Sequence, residues 1–297
     1  MHLIADSGST KTDWCLCNQG AVLQNIQTQG INPYHQTEEA IEEVLREELL
    51  PQLDAQNSTL KVCASEQNAS PLAISQLHIT FYGSGCANAT ACNRIKEALQ
   101  KVLGAKDVTI HSDLLGAARA LCGHEEGIAC VLGTGSNSCL YNGKEIIANT
   151  PPLGYILGDE GSSAVLGRHL VGNCLKNQLP EALRDEFLTE YQLTQEIILE
   201  KVYRQPLANR FLASLTPFLS KHKEVPEIHN LLVDSFVDFF VRNVKQYRRP
   251  WLPIHFVGSI ANAFSAELKE AAESLGMELG TILQSPIEGL VKYHCES

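Results

Sequence analysis

The sequence lacks the features that mark membrane-spanning and nucleic-acid-binding proteins. No run approaches the ~18 to 20 uninterrupted apolar residues that a membrane-spanning helix requires, and the chain enters its first apolar strand too early to leave room for a signal peptide. Lys and Arg number 23 against 34 Asp and Glu, a net charge of −11, and no basic cluster is longer than Arg248-Arg249. This charge repels nucleic acid and anionic membranes. We therefore expect a cytoplasmic protein that binds neither.

Cysteine pairs at metal-binding spacing are missing as well. The chain has 10 cysteines but no CxxC pair, and most of the cysteines lie inside apolar runs. This distribution favours buried thiols that act as small hydrophobic side chains over disulfides, a zinc site or an iron–sulfur site.

Length and composition predict a globular protein of two domains. Hydrophobic residues make up 44% of the chain and charged residues 19%, which excludes a disordered or fibrous protein. A chain of 297 residues can form two domains, each with its own core. We place the N-terminal domain at 1–112 and the C-terminal domain at 113–297, with a helical insertion at about 180–250. The last helix, from Pro286, is a candidate to pack back on the N-terminal domain.

The chain opens with an apolar strand that leads into a carboxylate and a turn of small hydroxylated residues. The turn reads Asp6-Ser7-Gly8-Ser9-Thr10-Lys11-Thr12. Such a turn can bring backbone N–H groups, hydroxyls and a lysine close to a phosphate, while the Asp holds a metal-bound water. The alternative is an ordinary hairpin turn, which is the more frequent meaning of a single motif of this kind.

Three later segments repeat this layout of a short apolar run followed by Gly and a hydroxylated residue. They end in Gly83-Ser84-Gly85, Gly133-Thr134-Gly135-Ser136 and Gly258-Ser259. Ligands of open α/β sheets bind outside the carboxyl ends of the strands, so four such strand ends predict one shared crevice. The first and third of the four segments each begin a three-strand meander, which indicates an internal repeat.

These motifs, in this order, resemble the actin/hexokinase/chaperone ATPase superfamily and, within it, the N-acetylglucosamine kinase and BadF/BadG-type ATPase family. The resemblance covers essentially the whole chain. It rests on Asp6–Thr12, Gly83–Gly85, Asp113-x-x-Gly116, Leu132–Ser136 and Leu157–Ser162. It implies an α/β fold of two ribonuclease-H-like domains with a central cleft, which close on ATP and a sugar.

The resemblance also implies a role for individual residues. It places the ligand of a Mg²⁺-bound water at Asp6 and the catalytic base at Asp113. The implied ATP contacts are Gly8, Ser9, Thr10, Lys11, Thr12, Gly133, Thr134, Gly258 and Ser259. The implied sugar contacts are Asn32, Gly83, Ser84, Asp113, Thr134, Gly135, Gly154 and Asp159.

Several of these residues also have simpler interpretations. Asp113 could be the N-cap of a helix, Asp6 could cap its own turn, and Lys11 could face solvent. Asp159-Glu160 could be a solvated acidic pair, although its position between glycines at the start of a helix favours sugar binding by Asp159 and a structural role for Glu160.

We therefore expect a kinase that uses ATP and Mg²⁺ to phosphorylate a small-molecule amino sugar. N-acetylglucosamine is the first candidate, giving its 6-phosphate, with N-acetylmuramic acid and glucosamine as alternatives. A BadF-type ATPase that drives a protein partner is the alternative from another class, but nothing in this sequence marks the cluster-ligating cysteine pair of such members. A sugar sensor on a kinase scaffold is a third, which the retention of Asp6 and Asp113 argues against. The sequence leaves open whether the chain forms a homodimer.

Overall fold

The chain forms two compact units. The structure, a computed structural model, describes residues 1–8, 10–55, 74–86 and 88–295. One unit comprises Met1–His124 together with Pro286–Ser297, and the other comprises Glu125–Ser285. Ser9 and the strand expected at Leu60–Ala64 lie outside the described residues.

A five-stranded mixed sheet forms the centre of the first unit. Its strands are β1 (His2–Ser7), β2 (Lys11–Asn18), β3 (Ala21–Gln29), β4 (His78–Gly83) and β5 (Asp107–Ser112). The strands lie in the order β3-β2-β1-β4-β5, with β1 to β3 as an antiparallel meander and β4 and β5 parallel to β1. Because Ser7 pairs with Gly83, and Gly83 with Ser112, the carboxyl ends of the three parallel strands meet at one edge.

Three helices cover this sheet before the chain enters the second unit. They are α1 (Glu38–Val44), which continues through a π-helical turn (Leu45–Leu49) and on to residue 55, α2 (Ala89–Leu103) and α3 (Asp113–Cys122). Thr37 caps α1 by accepting a hydrogen bond from the Ala40 N–H, and Gly104 ends α2 in a left-handed conformation, as the sequence predicted. A short 3₁₀ turn (Ile74–Gln76) precedes β4.

The second unit repeats the sheet of the first. Its strands are β6 (Glu126–Leu132), β7 (Ser136–Asn142), β8 (Ile146–Thr150), β9 (Ile254–Val257) and β10 (Leu279–Leu283). They lie in the order β10-β9-β6-β7-β8, again an antiparallel meander followed by two parallel strands. This topology confirms the internal repeat and the α/β fold of two ribonuclease-H-like units.

The segment between β8 and β9 is helical, as predicted for about 180–250. The helices of this unit are α4 (Gly154–Leu157), α5 (Ser163–Leu175), α6 (Glu181–Glu190), α7 (Gln195–Tyr203), α8 (Ala208–Ala213), α9 (Thr216–Lys221), α10 (Pro226–Phe239), α11 (Ser259–Ala263) and α12 (Ser265–Ser274). A π-helical turn (Phe240–Val244) and a 3₁₀ turn (Lys245–Tyr247) extend α10. Phe236, Phe239, Phe240 and Val244 are buried, which confirms that their stripe is core.

The two units divide at a different residue from the one that the sequence suggested. The division lies after His124 rather than after residue 112, so α3 belongs to the first unit. The last helix, α13 (Ile287–Cys295), belongs to that unit too and packs on α3, β1 and β2. The Arg119 guanidinium of α3 and His294 of α13 both hydrogen-bond to the Tyr82 hydroxyl, at 2.9 and 2.8 Å. These tertiary contacts hold α3 on the first sheet.

Two further expectations can be compared with the described residues. Six of their cysteines are buried, namely Cys15, Cys17, Cys86, Cys130, Cys139 and Cys174, as expected of thiols that act as small hydrophobic side chains. Across the same residues, no helix has both the length and the apolar character to cross a membrane.

We predict that Gly258→Ala destabilises the second unit. Gly258 follows β9 with a φ of 130°, and a Cβ there would lie 2.2 Å from the Leu132 carbonyl oxygen. The strain and the clash should lower the free energy of unfolding by at least about 2 kcal/mol, measured by denaturant unfolding. Gly172→Ala in α5 is the matched control, because a Cβ there would meet nothing within 4 Å. An equal loss in both variants would contradict this prediction.

Candidate active site

The Ser7 side chain joins the strand ends that carry the candidate site of the first unit. Ser7 is buried, and its Oγ lies 2.7 Å from the Thr12 Oγ1 and 3.0 Å from both the backbone nitrogen and the carbonyl oxygen of Ile31. Its carbonyl oxygen accepts a hydrogen bond from the Ser84 N–H at 2.9 Å. One residue therefore holds β1, β2, the segment after β3 and the turn after β4 in fixed positions.

The turn that follows Ser7 is a tight hairpin with an exposed tip. The Gly8 N–H donates to the Lys11 carbonyl oxygen at 3.0 Å, and Gly8 and Thr10 are exposed. The Lys11 ammonium group is exposed and forms an ion pair with Asp13 at 2.7 Å, so the structure favours the solvent-facing interpretation of Lys11. Thr12 is fully buried, and its hydroxyl bonds to the Ser7 hydroxyl, so in this structure Thr12 joins β2 to β1. The other residues of this turn are therefore the better candidates for the predicted phosphate contacts.

The Asp6 carboxylate carries a charge that its surroundings do not balance. The pKa of Asp6 is raised to about 7, first by burial and then by the negative charges of Asp113 and Asp13, against a smaller lowering effect of Lys11. Asp6 lies within β1, opposite Asp13 of β2. Among the described residues, which leave out Ser9, no hydrogen bond reaches this carboxylate.

Asp113 is the first residue of α3, directly after the carboxyl end of β5. Its Oδ1 accepts a hydrogen bond from the Leu114 N–H at 2.8 Å, while the cap of the helix is Ser112, whose Oγ accepts from the Leu115 N–H at 3.2 Å. The interpretation of Asp113 as the N-cap is therefore wrong by one residue. Burial raises the pKa of Asp113, and the Leu114 and Asp113 backbone N–H groups oppose that change. A raised pKa makes the carboxylate a stronger base, which suits it to accept a proton near neutral pH.

Three of the predicted sugar contacts lie together beside these carboxylates. Asn32 is buried, and its Nδ2 lies 3.4 Å from the Ser84 Oγ. Its Oδ1 accepts a hydrogen bond from the Tyr34 N–H at 3.0 Å. Gly83 ends β4 at the same edge. Side chains that can donate and accept hydrogen bonds, held on rigid strand ends, are suited to binding sugar hydroxyls.

The second unit has a matching turn between β6 and β7. The Gly133 N–H donates to the Gly135 carbonyl oxygen at 2.9 Å, and Thr134 is exposed at the tip. The carbonyl oxygens of Gly133 and Thr134 accept from the N–H groups of Ser163 and Ala164 at the start of α5. Gly258 lies against Leu132 at the base of this turn, and the exposed Ser259 follows it. The predicted contacts of this unit with phosphate and nucleoside are therefore neighbours.

Asp159 and Glu160 are adjacent in sequence but have different environments. The Asp159 carboxylate accepts hydrogen bonds from the Ser136 and Gly154 backbone N–H groups, and burial raises its pKa to about 6. A Cβ on Gly135 would lie 3.0 Å from its Oδ2. Asp159 therefore links the turn at Gly135 to the loop at Gly154, and it has a φ of 53°, which is uncommon for a residue other than glycine.

Glu160 is a buried structural residue, as expected. Its Oε1 lies 2.7 Å from the Arg242 Nε, and its Oε2 accepts a hydrogen bond from the Asn243 Nδ2 at 3.0 Å. The alternative of a solvated acidic pair is therefore wrong, because neither carboxylate is fully exposed. The sequence analysis did not find Arg242 or Asn243, which lie among the apolar residues that extend α10. Their one signal in the sequence was that two adjacent polar residues interrupt an otherwise apolar stripe.

The chain is similar to several solved structures over its full length. The crystal structure of a proposed N-acetylglucosamine kinase from Porphyromonas gingivalis has 48% sequence identity, covers 100% of this chain and 99% of that chain, and has a TM-score of 0.91. A proposed N-acetylglucosamine kinase from Chromobacterium violaceum has 18% identity, 99% coverage of each chain and a TM-score of 0.71. The ethanolamine utilization protein EutJ from Carboxydothermus hydrogenoformans has 12% identity, covers 100% of this chain and 89% of that chain, and has a TM-score of 0.53.

The second and third of these structures show a shared fold, whereas the first shows a relationship of sequence over the full length. A scan against protein-family models and a search of curated proteins found no match.

We predict that Asp6→Asn stabilises the ligand-free protein at neutral and alkaline pH. The folded protein holds the Asp6 proton more tightly than the unfolded chain does, so the ionised carboxylate costs stability increasingly as the pH rises from 3.8 to about 7. The gain in unfolding free energy should be near zero at pH 4 and about 2 kcal/mol above pH 7, less than the full shift implies because Asp6 is partly exposed to solvent.

Denaturant unfolding at several pH values measures this gain. Glu43→Gln, which removes an exposed carboxylate of α1, is the control and should show no such pH-dependent gain. A gain for Asp6→Asn that does not change between pH 4 and pH 8 would contradict the prediction.

Proposed function

Because this chain belongs to the N-acetylglucosamine kinase and BadF/BadG-type ATPase family and is a carbohydrate kinase, we propose that it transfers the γ-phosphoryl group of ATP to N-acetylglucosamine. The proposed acceptor is the 6-hydroxyl, which gives N-acetylglucosamine 6-phosphate. The observation that carries the proposal is the position of Asp6 and Asp113, whose carboxylates both have raised pKa values at the carboxyl edge of the first sheet.

Asp113 is the proposed catalytic base. Phosphoryl transfer requires an aligned acceptor hydroxyl, neutralised phosphate charge and a group that takes the proton of that hydroxyl. The Asp113 carboxylate would accept the proton as the sugar oxygen bonds to the γ-phosphorus and the bond between that phosphorus and the ADP oxygen breaks. Its hydrogen bond from the Leu114 N–H at 2.8 Å holds Oδ1 in place.

The residues around Asp6 fit a hydrated divalent cation. The carboxylates of Asp13 and Asp113 are close enough to raise the pKa of Asp6, and the Lys11 ammonium offsets them only in part. A cation would remove this repulsion, and hard cations such as Mg²⁺ bind carboxylates directly or through water. Asp6 would hold such an ion, which supplies charge neutralisation for the ATP phosphates.

The proposed side-chain contacts with the sugar are an amide, a hydroxyl and a carboxylate. Asn32 and Ser84 of the first unit present an amide and a hydroxyl at the same edge as Asp113. Asp159 of the second unit presents a carboxylate that two backbone N–H groups hold in position. We assign Gly83, Gly135 and Gly154 to positions where the backbone would approach the sugar closely. The proposed phosphate contacts are Gly8, Ser9, Thr10, Gly133 and Thr134, with Gly258 and Ser259 for the nucleoside.

A screen of ATP consumption across amino sugars tests the proposed substrate. We expect the largest kcat/KM with N-acetylglucosamine when the panel also contains glucosamine, N-acetylmannosamine, N-acetylmuramic acid and glucose. Analysis of the product should place the phosphate on the 6-oxygen. Steady ATP hydrolysis that no sugar stimulates would contradict the proposal and favour an ATPase that acts on a protein partner.

We predict that Asp113→Asn loses most turnover while it retains both substrates. Removing a general base costs about 10² to 10⁴ in rate, and asparagine keeps the shape and can still accept the Leu114 hydrogen bond. Measured kcat should fall by this factor, while the dissociation constants for sugar and MgATP change by less than about threefold. Asp107→Asn, at the opposite end of β5 and exposed, is the control. Near-normal turnover in Asp113→Asn would remove Asp113 from this role.

A further inference from the structure

The second unit contains a cavity at the end of its sheet opposite the turn at Gly133, Thr134 and Gly135. Its volume is about 460 Å³, within the range of small-molecule sites. The apolar side chains that line it are Ile128, Val244, Leu252, Ile254, Leu275 and Met277. The backbone beneath it is already satisfied, because Ile128 and Ile254 donate to the carbonyl oxygens of Pro253 and Glu278. The cavity therefore offers apolar surface and no unpaired strand edge.

Distance separates this cavity from the site described above. Ile128 and Ile254 lie near the beginnings of β6 and β9, whereas Gly133 and Gly258 follow the ends of those strands. Leu132 lies four positions beyond Ile128 along β6, which corresponds to roughly 13 Å at about 3.3 Å per residue. A ligand in the cavity is therefore distinct from one on the phosphate-binding turn.

Positive charge surrounds the mouth of the cavity. Lys245, Arg248 and Arg249 line it, and Glu278 is the one acidic side chain among its lining residues. Among the ion pairs of the described residues, none involves any of these three cations. In a chain with a net charge of −11, three such cations at one cavity are a local reversal of sign. They would attract an anion.

The segment that carries these cations is held in place from two sides. Tyr247 is buried, and its hydroxyl bonds to the Ser138 Oγ at 2.7 Å and accepts from the Thr150 N–H at 3.0 Å. Arg248 adopts a φ of 56°, an uncommon conformation outside glycine and asparagine. The Arg249 guanidinium lies 5.6 Å from the centre of the exposed Trp251 ring. These contacts fix the backbone that carries the cations, and the Arg249 guanidinium, before any ligand arrives, which lowers the entropic cost of binding.

We propose that this cavity binds a small organic anion, with its apolar body on the aliphatic floor and its carboxylate, sulfonate or phosphate group at Arg248 and Arg249. The guanidinium group fits such anions, because its planar N–H donors can form two parallel hydrogen bonds to them. The volume matches one small molecule. The site requires neither ATP nor sugar.

Fluorescence titration with anilinonaphthalene sulfonate (ANS) tests the proposal. ANS is an organic anion whose emission rises in apolar surroundings. The full chain should bind it at a saturable site that MgATP does not displace. R248Q/R249Q should weaken the affinity about tenfold or more, because two charge-assisted hydrogen bonds are lost. R204Q/R210Q removes the same charge from two exposed positions, one directly after α7 and one within α8, and should leave the affinity within about twofold, since surface charges act weakly over distance.

A second variant tests the apolar part of the site. Met277→Trp keeps all three cations but fills the cavity with a larger side chain, and it should also weaken ANS binding, with circular dichroism confirming the fold. Unchanged affinity in either R248Q/R249Q or Met277→Trp would overturn the proposal. An equal loss in R204Q/R210Q, or displacement of the probe by MgATP, would overturn it too. None of these measurements depends on kinase activity, so they stay separate from the tests of the proposed function.

Discussion

Parallel pairing of β1, β4 and β5 in register is the constraint on which the first unit's candidate site depends. Ser7, Gly83 and Ser112 occupy equivalent positions on neighbouring strands, so the residues that follow them emerge at one edge. A shift by one residue would reverse the faces of all side chains on the shifted strand. The Ser7 hydroxyl, bonded to Thr12 and Ile31, adds a second restraint across the meander. The second unit uses the same strand order for Gly133 and Gly258.

The electrostatics of this edge oppose folding and favour function. Asp6 and Asp113 both have raised pKa values because burial penalises their charge, and Asp113 adds to the penalty on Asp6. Structural carboxylates usually have lowered pKa values, because cations and N–H donors surround them. Two carboxylates at the carboxyl edge of a sheet whose negative charge is not balanced by cations are instead typical of sites that bind a cation or accept a proton. The cost in stability is therefore consistent with the proposed catalysis.

Asp159 and Glu160 show how neighbouring identical charges can serve different purposes. Glu160 is enclosed by Arg242 and Asn243, and these contacts fix the loop before α5. Asp159 has only backbone donors, and it keeps a pKa of about 6 beside the turn at Gly135. Glu160 therefore stabilises the loop, whereas Asp159 remains available to a ligand. In this structure the polar groups of Lys11 and Thr12 likewise bond to neighbouring side chains, those of Asp13 and Ser7.

The sequence by itself determined the strand ends, the repeated meander and most helix limits, because periodicity, glycine and capping residues act over a few neighbouring positions. It also proposed Asp6, Asp113 and Asp159 as candidate site residues, through motifs that are short and local. Only the tertiary structure decided that α3 belongs to the first unit and that Arg242 and Asn243 hold Glu160. Each of these depends on contacts between residues far apart in the chain, such as Arg119, Tyr82 and His294, and no local pattern encodes such contacts. The effect of neighbouring charges on the pKa of Asp6 likewise arises only once folding brings β1, β2 and α3 together, because these charges act through space.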